Sequence, residues 1–194
     1  MAKKPVAGAV KSRLAKDIGV MGATRFYRTV MAQTIRRLAG DPRWQTRLAV
    51  SPATAPGDAV WPRNVLCEAQ SAGGLGQRMQ HILDSARPGP VVIIGTDIPG
   101  ISRRDIARAF FLLGENDVVF GPASDGGYWL VGARRSPKVP DLFGNVRWSG
   151  EHALADTLRN ADGLKVGFAA QKTDVDCGAD LAGLAGRLPG MFTG

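Results

Sequence analysis

The hydrophobic positions of this chain fall into short apolar runs separated by longer stretches with helical periodicity. Between residues 22 and 39, large apolar side chains recur every three to four positions: Phe26, Val30, Met31, Ile35 and Leu38. That spacing predicts an amphipathic helix, which Gly40 and Pro42 should end. By contrast, residues 91–95 form a continuous apolar run, typical of a strand that is covered on both faces of a sheet.

The remaining pattern alternates between strands and helices. We expect further strands over residues 46–50, 65–67, 118–121, 128–133 and 165–169, and further helices over 73–86, 103–113, 151–159 and 179–187. Ser102 and Ser149 are predicted to cap the helices that follow them. Alternation of this kind predicts an α/β fold with a mostly parallel sheet and helices on both faces.

The start of the chain departs from this scheme. A sheet of this type should open with a buried strand that leads into the first loop, but Met1 to Pro5 already read as loop. We therefore expect the first strand to be truncated, either absent or very short.

Length and composition place the chain among globular proteins. It has 194 residues, of which 44% are hydrophobic, and we find no repeat or linker, so residues 1–194 are predicted to form one domain. No apolar run approaches the roughly 20 residues that span a bilayer, and no export signal is evident. Two cysteines and two histidines argue against a disulfide scaffold or a zinc site. These features favour a cytoplasmic location.

The net charge of +8 favours anionic partners such as phosphorylated small molecules or nucleic acid. Several basic residues crowd the N-terminal loop, where Lys11 and Arg13 could meet a polyphosphate and Gly8 permits close backbone approach. The spacing of a Walker A loop is absent from this segment. Alternatively, these basic residues are ordinary surface charges that bind no ligand.

Acidic residues follow two predicted strands, at the sheet edge where ligands of such folds bind. Asp97 comes directly after the 91–95 strand, and Asp174 and Asp176 follow the late strand. Carboxylates there can hold Mg²⁺ or Mn²⁺, which in turn binds phosphate oxygens. Of Asp174 and Asp176, we expect only Asp176 to reach the site, because we expect the two side chains to point to opposite sides of the extended segment. Capping and turn roles remain open for all three.

A Gly-rich segment follows the strand at 118–121. Asp125, Gly126 and Gly127 precede the aromatic residues Tyr128 and Trp129, which suggests a backbone that lies close to a ligand. The same residues could form no more than a turn.

Six segments occur in an order that resembles a known family. They are Lys11-Ser-Arg-Leu-Ala, Gln70 with Gly73-Gly-Leu-Gly-Gln-Arg-Met79, Gly95-Thr-Asp-Ile-Pro99, Gly121-Pro-Ala-Ser-Asp-Gly-Gly-Tyr128, Trp148-Ser149, and Asp174-Val-Asp176. Over nearly the whole chain they resemble a bacterial family of GT-A-like glycosyltransferases, also called nucleotide-diphospho-sugar transferases. More distantly, the chain resembles guanylyl- and cytidylyltransferases.

The resemblance implies a GT-A, Rossmann-like fold and a metal-dependent transferase that uses an activated nucleotide and a small-molecule acceptor. It implies roles for named residues. The nucleotide side would comprise Pro5, Gly8, Lys11, Arg13, Gln70, Gly73, Gly74 and Gly76. The acceptor side would comprise Asp125, Gly126, Gly127, Tyr128, Trp148 and Ser149. Asp97 and Asp176 would hold Mg²⁺ or Mn²⁺, Lys11 and Arg13 would stabilise developing charge, and Asp125 is the candidate general base.

Three functions stay open from the sequence. Glycosyl transfer from a nucleotide-diphospho-sugar leads, and nucleotidylyl transfer with release of pyrophosphate competes with it. The third is a non-catalytic anion- or RNA-binding protein, although no RNA-binding motif is present. A homodimer is also left open.

Overall fold

The structure, a computed structural model, describes residues 1–185. Twelve strands and α-helices follow one another within these residues. They are β1 (Ala2–Lys3), α1 (Leu14–Ala39), β2 (Arg47–Ser51), β3 (Leu66–Ala69), α2 (Leu75–Ser85), β4 (Val91–Ile94), α3 (Arg103–Leu113), β5 (Val118–Pro122), β6 (Tyr128–Ala133), α4 (Ala153–Asn160), β7 (Val166–Phe168) and α5 (Gly178–Ala185). The expected alternation of strands and helices is confirmed.

The strands form two adjoining sheets. In the first, β1, β2 and β3 pair in parallel in that order; in the second, the order is β4-β6-β5-β7. A hydrogen bond of 2.7 Å from the Met1 amino group to the Ile94 carbonyl oxygen joins the two sheets. The first strand is present but only two residues long, in line with the loop-like start of the sequence.

One strand runs against the parallel direction. β6 is antiparallel to both of its neighbours, β4 and β5, whereas β5 and β7 are parallel. Only residues 123–127 connect β5 to β6, and a parallel connection would need a crossover of a dozen or more residues. The sheet is therefore mixed at this point, a detail that the strand-helix alternation did not reveal.

Both faces of the central strands are buried. Val119 packs with α3 in one cluster, whereas its neighbours Val118 and Phe120 pack with α2 in another. Because successive strand residues point to opposite faces, helices must cover the sheet on both sides, as predicted. Within residues 1–185, no helix is long and apolar enough to cross a membrane.

Most predicted element boundaries hold, with three differences. The helix predicted over 22–39 begins earlier, at Leu14, with a break at Gly19, where φ is 76°. Ser102 caps α3 as predicted, but the cap predicted for Ser149 is wrong: α4 starts at Ala153, after His152, and Ser149 has a φ of 65°. The last predicted helix is seen as α5, and residues 186–187 lie outside the described residues.

Candidate active site

A cleft of about 500 Å³ opens at the carboxyl ends of β1, β4 and β5. That is where open α/β sheets bind ligands. Its lining includes the loop after β1, residues 95–98 after β4, the loop between β5 and β6, residues 148–150, and Asp174. Of the residues predicted for the site, the cleft lining includes Lys11, Gln70, Asp97, Asp125, Gly127, Tyr128, Trp148 and Ser149.

Three carboxylates converge on the Lys11 ammonium at the charged end of the cleft. Lys11 Nζ lies 2.7 Å from Asp174 Oδ1, 3.0 Å from Asp97 Oδ2 and 3.1 Å from Asp176 Oδ1. The Lys11 side chain is only 5% exposed, so these ion pairs are partly shielded from water. The loop after β1, the end of β4 and the segment after β7 therefore meet at one charged group. The roles expected from the sequence, phosphate binding by Lys11 and metal binding by Asp97 and Asp176, remain predictions.

The position of Asp174 corrects the expectation from the sequence that this residue does not reach the site. We expected Asp176 alone to reach the site, but both carboxylates contact Lys11. In an extended segment, residues two positions apart point to the same side, not to opposite sides. That spacing was the available signal, and it argued for including both residues.

The cluster perturbs the protonation of its members. Burial raises the pKa of Asp174 to about 6, helped by the charges of Asp97 and Asp176 and opposed by Lys11. Burial lowers the pKa of Lys11, but the three carboxylates outweigh it and hold that pKa above its usual range. Near neutral pH, Lys11 therefore stays an ammonium, and the Asp174 carboxyl has a pKa closer to neutrality than that of an ordinary aspartate.

The loop that carries Lys11 has an unusual backbone. Lys11 itself adopts a φ of 46°, and Gly8 one of 76°. A left-handed residue other than glycine is uncommon, and such residues cluster at functional sites. Pro5, Gly8 and Arg13 do not line the cleft, but Arg13 reaches Asp176 Oδ2 at 3.3 Å from the exposed surface.

The Asp-Gly-Gly segment forms a tight turn between β5 and β6. The Gly127 amide donates a 2.9 Å hydrogen bond to Asp125 Oδ1, and Leu154 donates one of 3.1 Å to the Gly126 carbonyl. Gly126 has a φ of 85°, and a Cβ atom there would lie 2.4 Å from the Glu151 carbonyl oxygen. The turn therefore needs glycine in order to pack against the 149–151 segment, and it leaves Asp125 exposed at the cleft.

Aromatic side chains form another part of the cleft lining, which we call the aromatic wall. The Trp148 ring lies 6.4 Å from that of Tyr128 and 6.3 Å from that of Phe143. Burial raises the pKa of Tyr128 well above its usual range, so this hydroxyl stays protonated. Leu75 and Met79 extend the same apolar lining.

The segment that presents Trp148 is clamped to α4 by a buried carboxylate. Asp156 accepts three hydrogen bonds of 2.9 Å from Arg147, one from its backbone amide and two from its guanidinium. A further close bond comes from Arg159. These partners hold the pKa of Asp156 well below its ordinary value. Asp156 was not predicted from the sequence, because an acidic residue inside a helix carries no signal that it holds a loop in place.

Gln70 and the glycine loop have visible structural tasks. The Gln70 side-chain amide donates to the carbonyl oxygens of Ala2 at 3.1 Å and Ala49 at 3.0 Å, which ties β1 to β2. Gly73 and Gly74 form the start of α2 outside the cleft lining, and Gly76 is buried where a Cβ would meet Phe143 and Trp148. Their predicted contact with a base or ribose remains a prediction.

Tyr27 of α1 was not identified from the sequence. Its hydroxyl accepts a hydrogen bond from the Lys3 amide and donates one to the Lys3 carbonyl, both of 2.9 Å. It thereby fixes the end of β1 and lines the cleft. In the sequence it reads as one more apolar position of α1.

The mixed α/β architecture with a cleft at the strand ends defines the class of fold, and comparisons specify it further. The chain belongs to a family of uncharacterized proteins conserved in bacteria (DUF2064), whose model matches residues 34–150. A solved structure from Desulfovibrio desulfuricans G20, named as a candidate nucleotide-diphospho-sugar transferase, is similar with a TM-score of 0.81 at 30% sequence identity. The match covers 97% of this chain and 85% of that one. No curated protein matches the sequence. The fold is therefore that of the nucleotide-diphospho-sugar transferase type, as the resemblance implied.

Proposed function

We propose that this protein is a glycosyltransferase that binds a nucleotide-diphospho-sugar in the cleft and transfers its sugar to a small-molecule acceptor. The observation that carries this proposal is the position of the Lys11 cluster at the carboxyl ends of the strands, in a cleft that Tyr128 and Trp148 also line. A structural relative named as a candidate transferase of this class supports the same assignment.

The charged end suits the diphosphate of the donor. Lys11 would bind the leaving phosphate as a mobile point charge, and Arg13, which is mostly exposed, would add a second cation. Positive groups aimed at the phosphate would stabilise the charge that develops there as the sugar-phosphate bond breaks. This is the role that the sequence resemblance assigns to both residues.

The acidic residues fit a divalent cation of the Mg²⁺ or Mn²⁺ kind. Asp97 and Asp176 are each about one-third exposed, at 37% and 35%, and supply the oxygen ligands that such ions prefer. Within residues 1–185, no group of three or more His, Cys, Asp or Glu is already arranged to hold a metal ion. That fits Mg²⁺ sites in which one or two carboxylates and substrate phosphates share the coordination. When bound, the ion would neutralise phosphate charge.

The other end of the cleft suits the acceptor. The faces of Tyr128 and Trp148 would pack against the acceptor or the transferred sugar, while the neighbouring Asp125 carboxylate would take the proton from the acceptor hydroxyl. Gly126 and Gly127 allow the backbone to turn there, so the carboxylate stays at the edge of the cleft rather than in the core.

The experiment identifies which bond is broken. We would incubate the protein with Mn²⁺ and either nucleotide-sugars or nucleoside triphosphates, with a panel of hydroxyl acceptors, and assay nucleoside diphosphate and pyrophosphate separately. Release of nucleoside diphosphate from a nucleotide-sugar, lost in Asp97→Asn, is the expected result. Release of pyrophosphate from a triphosphate would replace the proposal with nucleotidylyl transfer. Release of neither would refute the enzymatic assignment and favour the anion-binding alternative.

A further inference from the structure

The Lys11 ammonium occupies the point in the cleft at which three carboxylates converge. All three oxygens lie within 3.1 Å of Nζ, and the side chain is almost fully buried. The other basic side chain of the cluster, Arg13, reaches only Asp176 and is largely exposed. The cation that these carboxylates contact is therefore part of the chain itself.

A second cation cannot simply be added beside Lys11. Opposite charges about 3 Å apart attract strongly, and like charges at the same distance repel each other by a comparable amount. A divalent ion coordinated by the same carboxylate oxygens would lie within a few ångströms of the ammonium. The two positive groups would therefore exclude each other.

The cluster can exchange one cation for the other. Lysine has a flexible stem and rotatable donors, so Nζ can move to a phosphate oxygen while its backbone stays in place. Asp97 lines the cleft and Asp176 is partly exposed beside it, so an ion can approach both carboxylates. Asp174 also lines the cleft, and its carboxylate would exchange its ion pair with Lys11 for contact with the incoming ion.

We propose that Lys11 and a divalent cation compete for the carboxylates of Asp97, Asp174 and Asp176, so that the ion enters only after a phosphate has drawn Lys11 away. The inference rests on the proposed function for the identity of that phosphate. It adds Asp174 to the cation site only once Lys11 has left, since within residues 1–185 no three such groups are arranged for a metal beforehand. It also predicts an order of binding: nucleotide first, metal second.

The test measures Mn²⁺ binding without nucleotide, by isothermal titration calorimetry and by the loss of the free-ion electron paramagnetic resonance signal. Lys11→Met should bind Mn²⁺ at least about tenfold more tightly than the wild type, because the competing charge is gone. Lys16→Met, which removes an exposed lysine five residues away, is the matched control and should leave Mn²⁺ affinity unchanged. Equal or weaker binding by Lys11→Met would overturn the proposal.

A double variant tests the part assigned to Asp174. In Lys11→Met/Asp174→Asn, the gain in Mn²⁺ affinity should largely disappear, since one of the three carboxylates is lost. If the double variant keeps the full gain, Asp174 does not belong to the cation site.

The wild-type protein offers a second readout in case Lys11→Met does not fold. Saturating Mn²⁺ together with a nucleoside diphosphate should move Lys11 from the carboxylates to the bound phosphate and so alter the rate of its modification by an amine-directed acylating reagent, measured by mass spectrometry. Lys16 serves as the internal reference, since it is exposed in the free protein. Mn²⁺ alone, at a concentration near its dissociation constant for the protein without nucleotide, should change the labelling rate of Lys11 far less. A labelling rate that Mn²⁺ and nucleoside diphosphate leave unchanged would contradict the exchange.

These results separate the inference from the proposed function. Tighter Mn²⁺ binding by Lys11→Met in a protein that transfers nothing would support the cation competition and refute the enzymatic assignment. If the wild type transfers a sugar but Lys11→Met binds Mn²⁺ no more tightly than the wild type, the enzymatic assignment is supported and the cation competition is refuted.

Discussion

Replacing Gly126 by alanine should destabilise the protein by more than any neighbouring glycine substitution. Gly126 has a φ of 85°, which costs an L-residue about 1–2 kcal/mol. The added Cβ would also lie 2.4 Å from the Glu151 carbonyl oxygen and 2.6 Å from its Cα, both backbone atoms that cannot rotate away. Overpacking of this kind typically costs a further 1–3 kcal/mol or so. We expect a total loss of about 2–5 kcal/mol.

Urea unfolding followed by tryptophan fluorescence and circular dichroism measures this loss. Gly150→Ala is the matched control, since it lies in the neighbouring loop, has no left-handed φ, and its Cβ would meet nothing within 4 Å. It should stay within about 0.5 kcal/mol of the wild type. A Gly126→Ala protein as stable as the control would refute the close packing of the Asp-Gly-Gly turn against Glu151.

Three further predictions concern the supports of the cleft. Asp156→Asn should cost stability at pH 7 and progressively less in acid. The hydrogen bonds from Arg147 hold the pKa of Asp156 low in the folded protein. The carboxylate therefore adds to the free energy of unfolding above its unfolded pKa of about 4, and this contribution is lost progressively as the pH falls below that value. Urea unfolding of the wild type and the variant at pH 7 and pH 3 measures the difference. Gly76→Ala should cost about 1–3 kcal/mol in the same assay, because its Cβ would lie 2.9 Å from a Trp148 ring carbon. Trp129→Phe should cost a similar amount, about 1–3 kcal/mol, because the Ala170 carbonyl loses its 3.0 Å hydrogen bond from the buried indole; a loss below about 0.5 kcal/mol would show that this bond is unimportant.

Local signals made much of the fold predictable. The apolar spacing of residues 22–39 and the Ser102 cap were sufficient for α1 and α3, since both depend on neighbouring residues. The direction of β6 depends instead on the length of a connection, and strand-helix alternation alone does not report it. Ser149 looked like a cap in sequence, but its left-handed backbone and its place in the cleft follow from how residues 147–151 are held by α4.

The candidate site was only partly predictable for a similar reason. Residues directly after strands, such as Asp97, can be placed at the sheet edge from the sequence because the edge is where strands end. Asp174 required the correct side-chain alternation of an extended segment, and its contact with Lys11 joins positions more than 160 residues apart. Asp156 and Tyr27 act through tertiary contacts for which the local sequence offers no pattern.

The central claim is that the Lys11 end of the cleft binds the diphosphate of a nucleotide. Calorimetric titration of the wild type with the common nucleoside diphosphates in the presence of Mn²⁺ tests it most directly, with Lys11→Met and Asp97→Asn as the site variants. We predict saturable binding of at least one diphosphate that stabilises the protein by roughly 2.7 kcal/mol at about 100-fold over its dissociation constant, and that is lost in both variants. Absence of binding by the wild type, or binding that survives both substitutions, would contradict the claim.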